Sequence, residues 1–167
     1  MAAQLATVFI ALGSNLQDPA AQVKAGFAEL ARLPGTRLTA QSSLYRSAPV
    51  GYADQPDFIN AVAAIETALA PRVLLDALLA IERRHGRVRE FLNAPRTLDL
   101  DVLLYGDLQW HEHGLTIPHP RMHERAFVLL PLAEIAPHCV IPARGALSDL
   151  LRTIDVAGVE RLAQTEA

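Results

Sequence analysis

The chain is poor in several features that would have directed it elsewhere. Cys139 is its only cysteine, which excludes a disulfide framework and a cysteine-built zinc site. Lys24 is its only lysine, the other basic residues being arginines, as compositional bias of a genome produces. Positive charge is not in excess: the net charge is −3 at pH 7, so no global basic field argues for nucleic acid. No apolar run is long enough to span a bilayer. The opening MAAQLATVFIALGSN lacks the basic n-region of a signal peptide and reads as a strand, so a cytoplasmic location is expected. A Walker motif is missing too. Gly13-Ser14-Asn15 follows a strand, but Lys24 lies too far on to be a P-loop lysine. No Ser-His-Asp or Cys-His signature stands out, and Cys139 sits among apolar residues as an inert core thiol. There is no repeat, low-complexity tract or linker.

What remains is an ordinary globular composition. The 167 residues, 51% apolar and 20% charged, fit one domain spanning residues 1–167. Residues 5–12 read as a central strand. Residues 19–33 read as a helix with Asp18 as N-cap and Pro19 at its first position. Residues 36–46 and 57–68 alternate as strands. A second helix is expected over about 71–85, with Val73, Leu74, Ala77, Leu78 and Ile81 inward and Gly86 at its end. Residues 87–97 read as a polar loop, 98–105 as a strand, 115–117 as a short strand and 122–135 as a third helix. The tail from about residue 144 holds a short helix and room for another. The order β-α-β-β-α-β predicts an α+β fold of ferredoxin-like plan, a mainly antiparallel sheet with helices on one face. A C-terminal hairpin and helices are added to it.

PRTLDLDVLLYG, residues 95–106, breaks the pattern of a buried strand. Asp99 and Asp101 share one face, and Leu98, Leu100 and Val102 take the other. Two carboxylates about 6.5–7 Å apart at Cα can converge on one cation or bridge a pair. Unneutralised, they would repel. Carboxylates with water and phosphate oxygens completing the shell form a magnesium site of the phosphoryl-transfer type. The competing reading is a sheet face left to water.

Arginines supply context. Arg83 and Arg84 end the second helix, where the helix dipole accounts for them. Arg87, Arg89 and Arg96 lie beyond it, near the aspartates in sequence. Such arginines either clamp phosphate oxygens or neutralise the aspartates directly. IPHPRMHERAF, residues 117–127, adds His119 between two prolines, with Arg121 and His123 as exposed helix-start residues and Arg125 free to face either way. A lone histidine is more often structural than functional.

Taken together, ALGSNL (11–16), SSLYRSAPVG with QPDFINA (42–61), GRVRE (86–90), APRTLDLDVLLYG (94–106) and LTIPHPRMHERAFVLLPLAEIAP (115–137) resemble the 6-hydroxymethyl-7,8-dihydropterin pyrophosphokinases of folate biosynthesis. The resemblance runs from about residue 7 to about residue 142. It implies Mg²⁺-dependent transfer of pyrophosphate from ATP to the pterin hydroxymethyl group, releasing AMP. It also implies that Asp99 and Asp101 bind two Mg²⁺ ions. Arg87, Arg96, His119 and Arg125 match phosphate-contacting positions, with Arg89 in a mobile loop. Glu82, Val102 and Thr116 match positions near the nucleotide. Phe58 and Phe127 match two rings that sandwich the pterin, Asn60 the group that reads its edge, and Ser47, Ala48 and Val50 its backbone wall. A flat polar heterocycle does want aromatic faces and a rim of hydrogen bonds; core packing is the bland alternative for the two rings. The implied partners are ATP and the pterin alone, with no nucleic acid or membrane, and the implied state is a monomer. The chain departs from the pattern at Leu92 and Asn93, where many relatives carry a basic residue and Trp, and at Pro120, where a tyrosine is common. Its loop is one residue shorter.

Two other classes compete. One is a non-catalytic ferredoxin-like module binding a small ligand or RNA, disfavoured for RNA by the acidic charge and the absence of clustered strand aromatics. The other is a D-x-D magnesium-dependent nucleotidyl- or glycosyltransferase.

Overall fold

A computed structural model describes residues 4–48, 56–86 and 97–163. Its centre is an antiparallel sheet. Strand β1 (Ala6–Ser14) lies between β4 (Phe58–Thr67) and β5 (Asp99–Tyr105). β4 also pairs with β2 (Thr36–Gln41) and β3 (Tyr45–Ser47), and β10 (Val159–Arg161) extends the sheet beyond β3. With β2 and β3 taken as one broken strand, this is the ferredoxin-like order expected from the sequence.

Helix α1 (Pro19–Ala31) starts where Asp18 accepts a hydrogen bond from the Ala21 amide and Pro19 needs no partner for a missing N–H. It packs Val23, Phe27 and Leu30 onto the sheet beside Leu74, Leu78 and Ile81 of α2 (Pro71–Arg84). Val8, Ile10, Leu12, Leu98, Leu100 and Val102 complete this core. Burial of these side chains contributes about 1.5–3 kcal/mol each.

Several expectations are corrected. Residues 36–46 do not form one strand. After Gln41 the chain leaves the ladder: the Ser42 amide donates to the Val62 carbonyl and Ser42 Oγ accepts from the Val62 amide, so side chain and backbone of one residue occupy both groups. Val73 does not face inward but is 52% exposed; Leu74, Leu78 and Ile81 fix the buried stripe, and Val73 lies roughly 100° around the helix from it. Residues 122–135 are not one helix. A 3-10 turn (Met122–Glu124) is followed by extended backbone at Arg125 and then α3 (Ala126–Ile135). Helices cover both faces rather than one: α3 and α4 (Leu147–Thr153) bury Val128, Leu129, Leu132 and Leu147 on the second face, against Val62, Leu103 and Leu104. The tail supplies α4 and then strand β10 in place of a second helix. The hairpins β6 (Trp110–Glu112)–β7 (Leu115–Ile117) and β8 (Val140–Ile141)–β9 (Gly145–Ala146) flank the sheet. Cys139 is half-buried, and burial raises its thiol pKa.

Among the described residues no helix is long and apolar enough to cross a membrane. Val50, Arg87, Arg89, Leu92, Asn93 and Arg96 lie outside the described residues, as does all of the 87–97 loop except Thr97.

Candidate active site

α3 and α4 leave part of the second sheet face open, and the register places chemistry there. Gly13 pairs with Asn60 on one side and Asp99 on the other, while Ala11 pairs with Asp101. Directly paired residues share a face, so Asn60, Gly13 and Asp99 form one row across three strands. At this level the central strand offers only Gly13 and Ala11. A Cβ on Gly13 would lie 3.3 Å from Asn60 Oδ1, so glycine keeps the trough between Asn60 and Asp99 clear.

The walls come from other elements. β3 pairs Ser47 with Phe58, and Asn60 Nδ2 donates to Ser47 Oγ at 2.7 Å. That bond is buried and fixes the Asn60 amide. Opposite, the α3 start brings Phe127, and the Arg125 guanidinium stands 5.6 Å from its ring centroid, within cation–π range. The cavity of about 150 Å³ is lined by Ser47, Ala48, Phe58, Asn60, Asp99, Asp101, His119, Arg121, Arg125 and Phe127 with the β1 trough.

His119 is held by its backbone. Its amide donates to the Leu103 carbonyl at 2.9 Å, along the edge of β5 that β1 leaves open. Its Nδ1 accepts from the Arg121 amide at 3.1 Å, so the ring proton sits on Nε2. Burial, with Arg125 adding, lowers its pKa to about 4 although Asp99 opposes the shift. The ring is therefore a neutral Nε2–H donor at neutral pH.

A second cleft, about 410 Å³, adjoins the cavity and shares Asp101 and His119 with it. Val102, Thr116, His111 and Leu115 line it. Glu82 lines neither space. It is 2% exposed and accepts from the Leu100 amide at 2.7 Å, behind β5.

The geometry thus gathers Ser47, Ala48, Phe58, Asn60, Asp99, Asp101, His119, Arg125 and Phe127 around one cavity, and Val102 and Thr116 around the cleft beside it. Two residues in or near the site went unread in the sequence. Arg121, expected as a plain exposed residue, is exposed but lines the cavity. Glu134 is the other. It accepts from the Ser43 amide, Ser43 Oγ and Tyr45 Oη at 3.0, 2.9 and 2.7 Å, with Arg161 at 3.4 Å. Burial alone would raise its pKa, but the hydrogen bonds from Tyr45 and Ser43 and the Arg161 charge bring it below the ordinary value. Tyr45 is pushed up to about 12, by burial first and then by Glu134. A solitary acid in the apolar run AFVLLPLAEI was the available signal. His123, also expected to be exposed, is partly buried with Nδ1 lacking a hydrogen-bond partner among the described residues.

A carboxylate pair, arginines and a neutral imidazole donor, set between an aromatic-walled cavity and an open cleft, are the equipment of phosphotransfer enzymes with two small-molecule substrates. The sequence comparisons narrow that class. Residues 9–137 match the family model of 7,8-dihydro-6-hydroxymethylpterin-pyrophosphokinase (HPPK), and the chain belongs to this family. It is 52% identical over 155 residues to the 2-amino-4-hydroxy-6-hydroxymethyldihydropteridine pyrophosphokinase of Pseudomonas aeruginosa, covering 93% of this chain and 96% of that protein. With the enzyme of the same name from Haemophilus influenzae it shares 49% identity, over 87% of this chain and 91% of that protein. Plasmodium falciparum HPPK-DHPS A437G with pteroate superposes with a TM-score of 0.72 at 13% identity, over 95% of this chain. At that identity the likeness speaks for the fold alone, and this chain spans 46% of that one. The protein is a pyrophosphokinase of folate biosynthesis.

Proposed function

We propose that the chain transfers pyrophosphate from ATP to the hydroxymethyl group of 6-hydroxymethyl-7,8-dihydropterin, releasing AMP, with two Mg²⁺ ions as cofactors. The observation that carries this reading is the row Asn60–Gly13–Asp99, with Asp101 and His119 joining the aromatic-walled cavity to the second cleft. The pterin would lie in the cavity between Phe58 and Phe127, its edge read by Asn60, which Ser47 orients. Ser47, Ala48 and Val50 would form the wall. ATP would occupy the cleft against Val102 and Thr116, its phosphates reaching toward Asp101 and His119.

The donor set fits magnesium. Among the described residues no group of three or more His, Cys, Asp or Glu could hold a metal, so Asp99 and Asp101 would leave most of the shell to phosphate and water oxygens, as Mg²⁺ prefers. Bound there, the ions would neutralise charge on the phosphates and hold them in line. His119 would donate from Nε2 to a phosphate oxygen, and Arg125, with Arg87 and Arg96, would hold others. Arg89 would act from its loop. Glu82 would support the nucleotide side indirectly, by fixing β5 through Leu100. In the transfer, the hydroxymethyl oxygen bonds to the β-phosphorus and the bond from that phosphorus to the bridging oxygen breaks. AMP leaves with that oxygen, and the hydroxyl proton is released. Alignment and charge neutralisation supply most of such catalysis.

The same reading takes residues 1–167 as one domain, working as a cytoplasmic monomer without nucleic acid or membrane. The test is calorimetry with a non-hydrolysable ATP analogue: binding should require Mg²⁺ and fall sharply in Asp99→Ala. Mg²⁺-independent binding would refute the metal assignment.

A further inference from the structure

We propose that Arg121 is a substrate-contacting residue that grips the diphosphoryl group in transit, the part of ATP that ends on the pterin. The proposal rests on the nucleotide and pterin placement given above.

Three observations carry it. The first is position. Arg121 lines the cavity that holds Phe58, Asn60, Phe127, Asp99 and Asp101, but not the adjoining cleft with Val102 and Thr116. Arg121 is therefore placed on the acceptor side of the carboxylates, where the β- and γ-phosphates would pass, and not on the nucleoside side that keeps the α-phosphate.

The second is a fixed base for a movable fork. The Arg121 amide donates to His119 Nδ1, and its carbonyl accepts from the Glu124 amide at 3.0 Å. The next residue, Met122, is 0% exposed and its amide donates to the His119 carbonyl at 3.3 Å. Backbone ordering at Arg121 is thus complete before any ligand arrives, so only side-chain freedom remains to be lost on binding.

The third is availability. Arg121 is exposed and forms no ion pair with a described carboxylate, whereas Arg84, Arg152 and Arg161 are spoken for by Glu29, Asp149 and Glu134. An arginine beside two carboxylates but not paired with them is set for a third, anionic party. The planar fork matches phosphate oxygens bidentately.

The contact predicts a split that a general basic surface would not give. In Arg121→Ala, affinity for the Mg²⁺ complex of a non-hydrolysable ATP analogue should fall about 10- to 100-fold, the loss of a charge-assisted contact. Affinity for AMP and for 6-hydroxymethyl-7,8-dihydropterin should stay within about twofold of wild type, and Arg121→Lys should recover part of the loss. Calorimetry for the nucleotides and pterin fluorescence for the acceptor read each arm. Unchanged affinity for the ATP analogue would overturn the proposal, as would an equal loss for AMP. Wild-type protein that binds no ATP analogue would instead overturn the nucleotide placement itself, and the Arg121 role with it.

Discussion

Replacing Glu134 by alanine should loosen the Ser47 and Phe127 walls of the cavity against each other. Glu134 lies two turns along α3 from Phe127, and its carboxylate holds Ser43 and Tyr45, which lead into Ser47 and Ala48. Truncation leaves the Ser43 amide and hydroxyl and the Tyr45 hydroxyl without their acceptor, on residues that are each 5% exposed. Unsatisfied buried donors cost about 1–3 kcal/mol each. The Glu134 side chain is itself 21% exposed, so water replaces part of the network. The expected loss is therefore about 2–4 kcal/mol, or roughly 5–15 °C in Tm for a chain of this size. Glu134→Gln keeps an acceptor for Ser43 and can donate to Tyr45 Oη, and should cost about 1 kcal/mol. Denaturant unfolding gives the stabilities, and pterin fluorescence at a temperature where both variants are folded gives the affinity. Pterin binding should weaken several-fold with little change for the ATP analogue. An alanine variant within about 0.5 kcal/mol of wild type, or one losing both ligands equally, would refute the reasoning.

The same network sets a pH dependence. The Tyr45 phenol ionises near pH 12 in the fold against about 10 unfolded, so the unfolded chain loses its proton first and stability falls as pH rises from 10 toward 12. Tyr105 is raised in the same direction by burial, so the contrast between wild type and Tyr45→Phe isolates Tyr45; identical alkaline denaturation curves would contradict the assignment. At the acid end, the lowered Glu134 pKa gives stability that is present above the ordinary carboxylate value and lost as pH falls through the folded one. Asp101→Ala should abolish turnover, by at least 10³-fold, with an unchanged circular dichroism spectrum; an active variant would sink the metal assignment. Phe127→Ala should weaken pterin binding by about 1–2 kcal/mol while leaving ATP binding nearly intact, and equal losses would count against stacking.

The Asp99–Asp101 face of the candidate site was legible because strand periodicity is rigid, while the roles of Phe58, Asn60 and Phe127 were suggested by the resemblance alone. Alternation alone put Asp99 and Asp101 on one face and Leu98, Leu100 and Val102 on the other, and the cores divide that way. Spacing could not show that Gly13 stands between Asn60 and Asp99, since register across three strands is a long-range property. The break at Ser42 was hidden for a similar reason: it depends on hydrogen bonds to Val62, twenty residues away. Arg121 looked like a solvated helix start because the sequence does not reveal that Arg125 breaks the helix and leaves a short turn along the cavity. Glu134 was overlooked because its partners lie about ninety residues earlier in the chain.

The central claim is tested most directly by following the nucleotide product. Purified protein given ATP, Mg²⁺ and 6-hydroxymethyl-7,8-dihydropterin should release AMP and pterin diphosphate in equal amounts, and neither when the pterin is left out. Release of ADP, or of AMP without the pterin, would contradict the account.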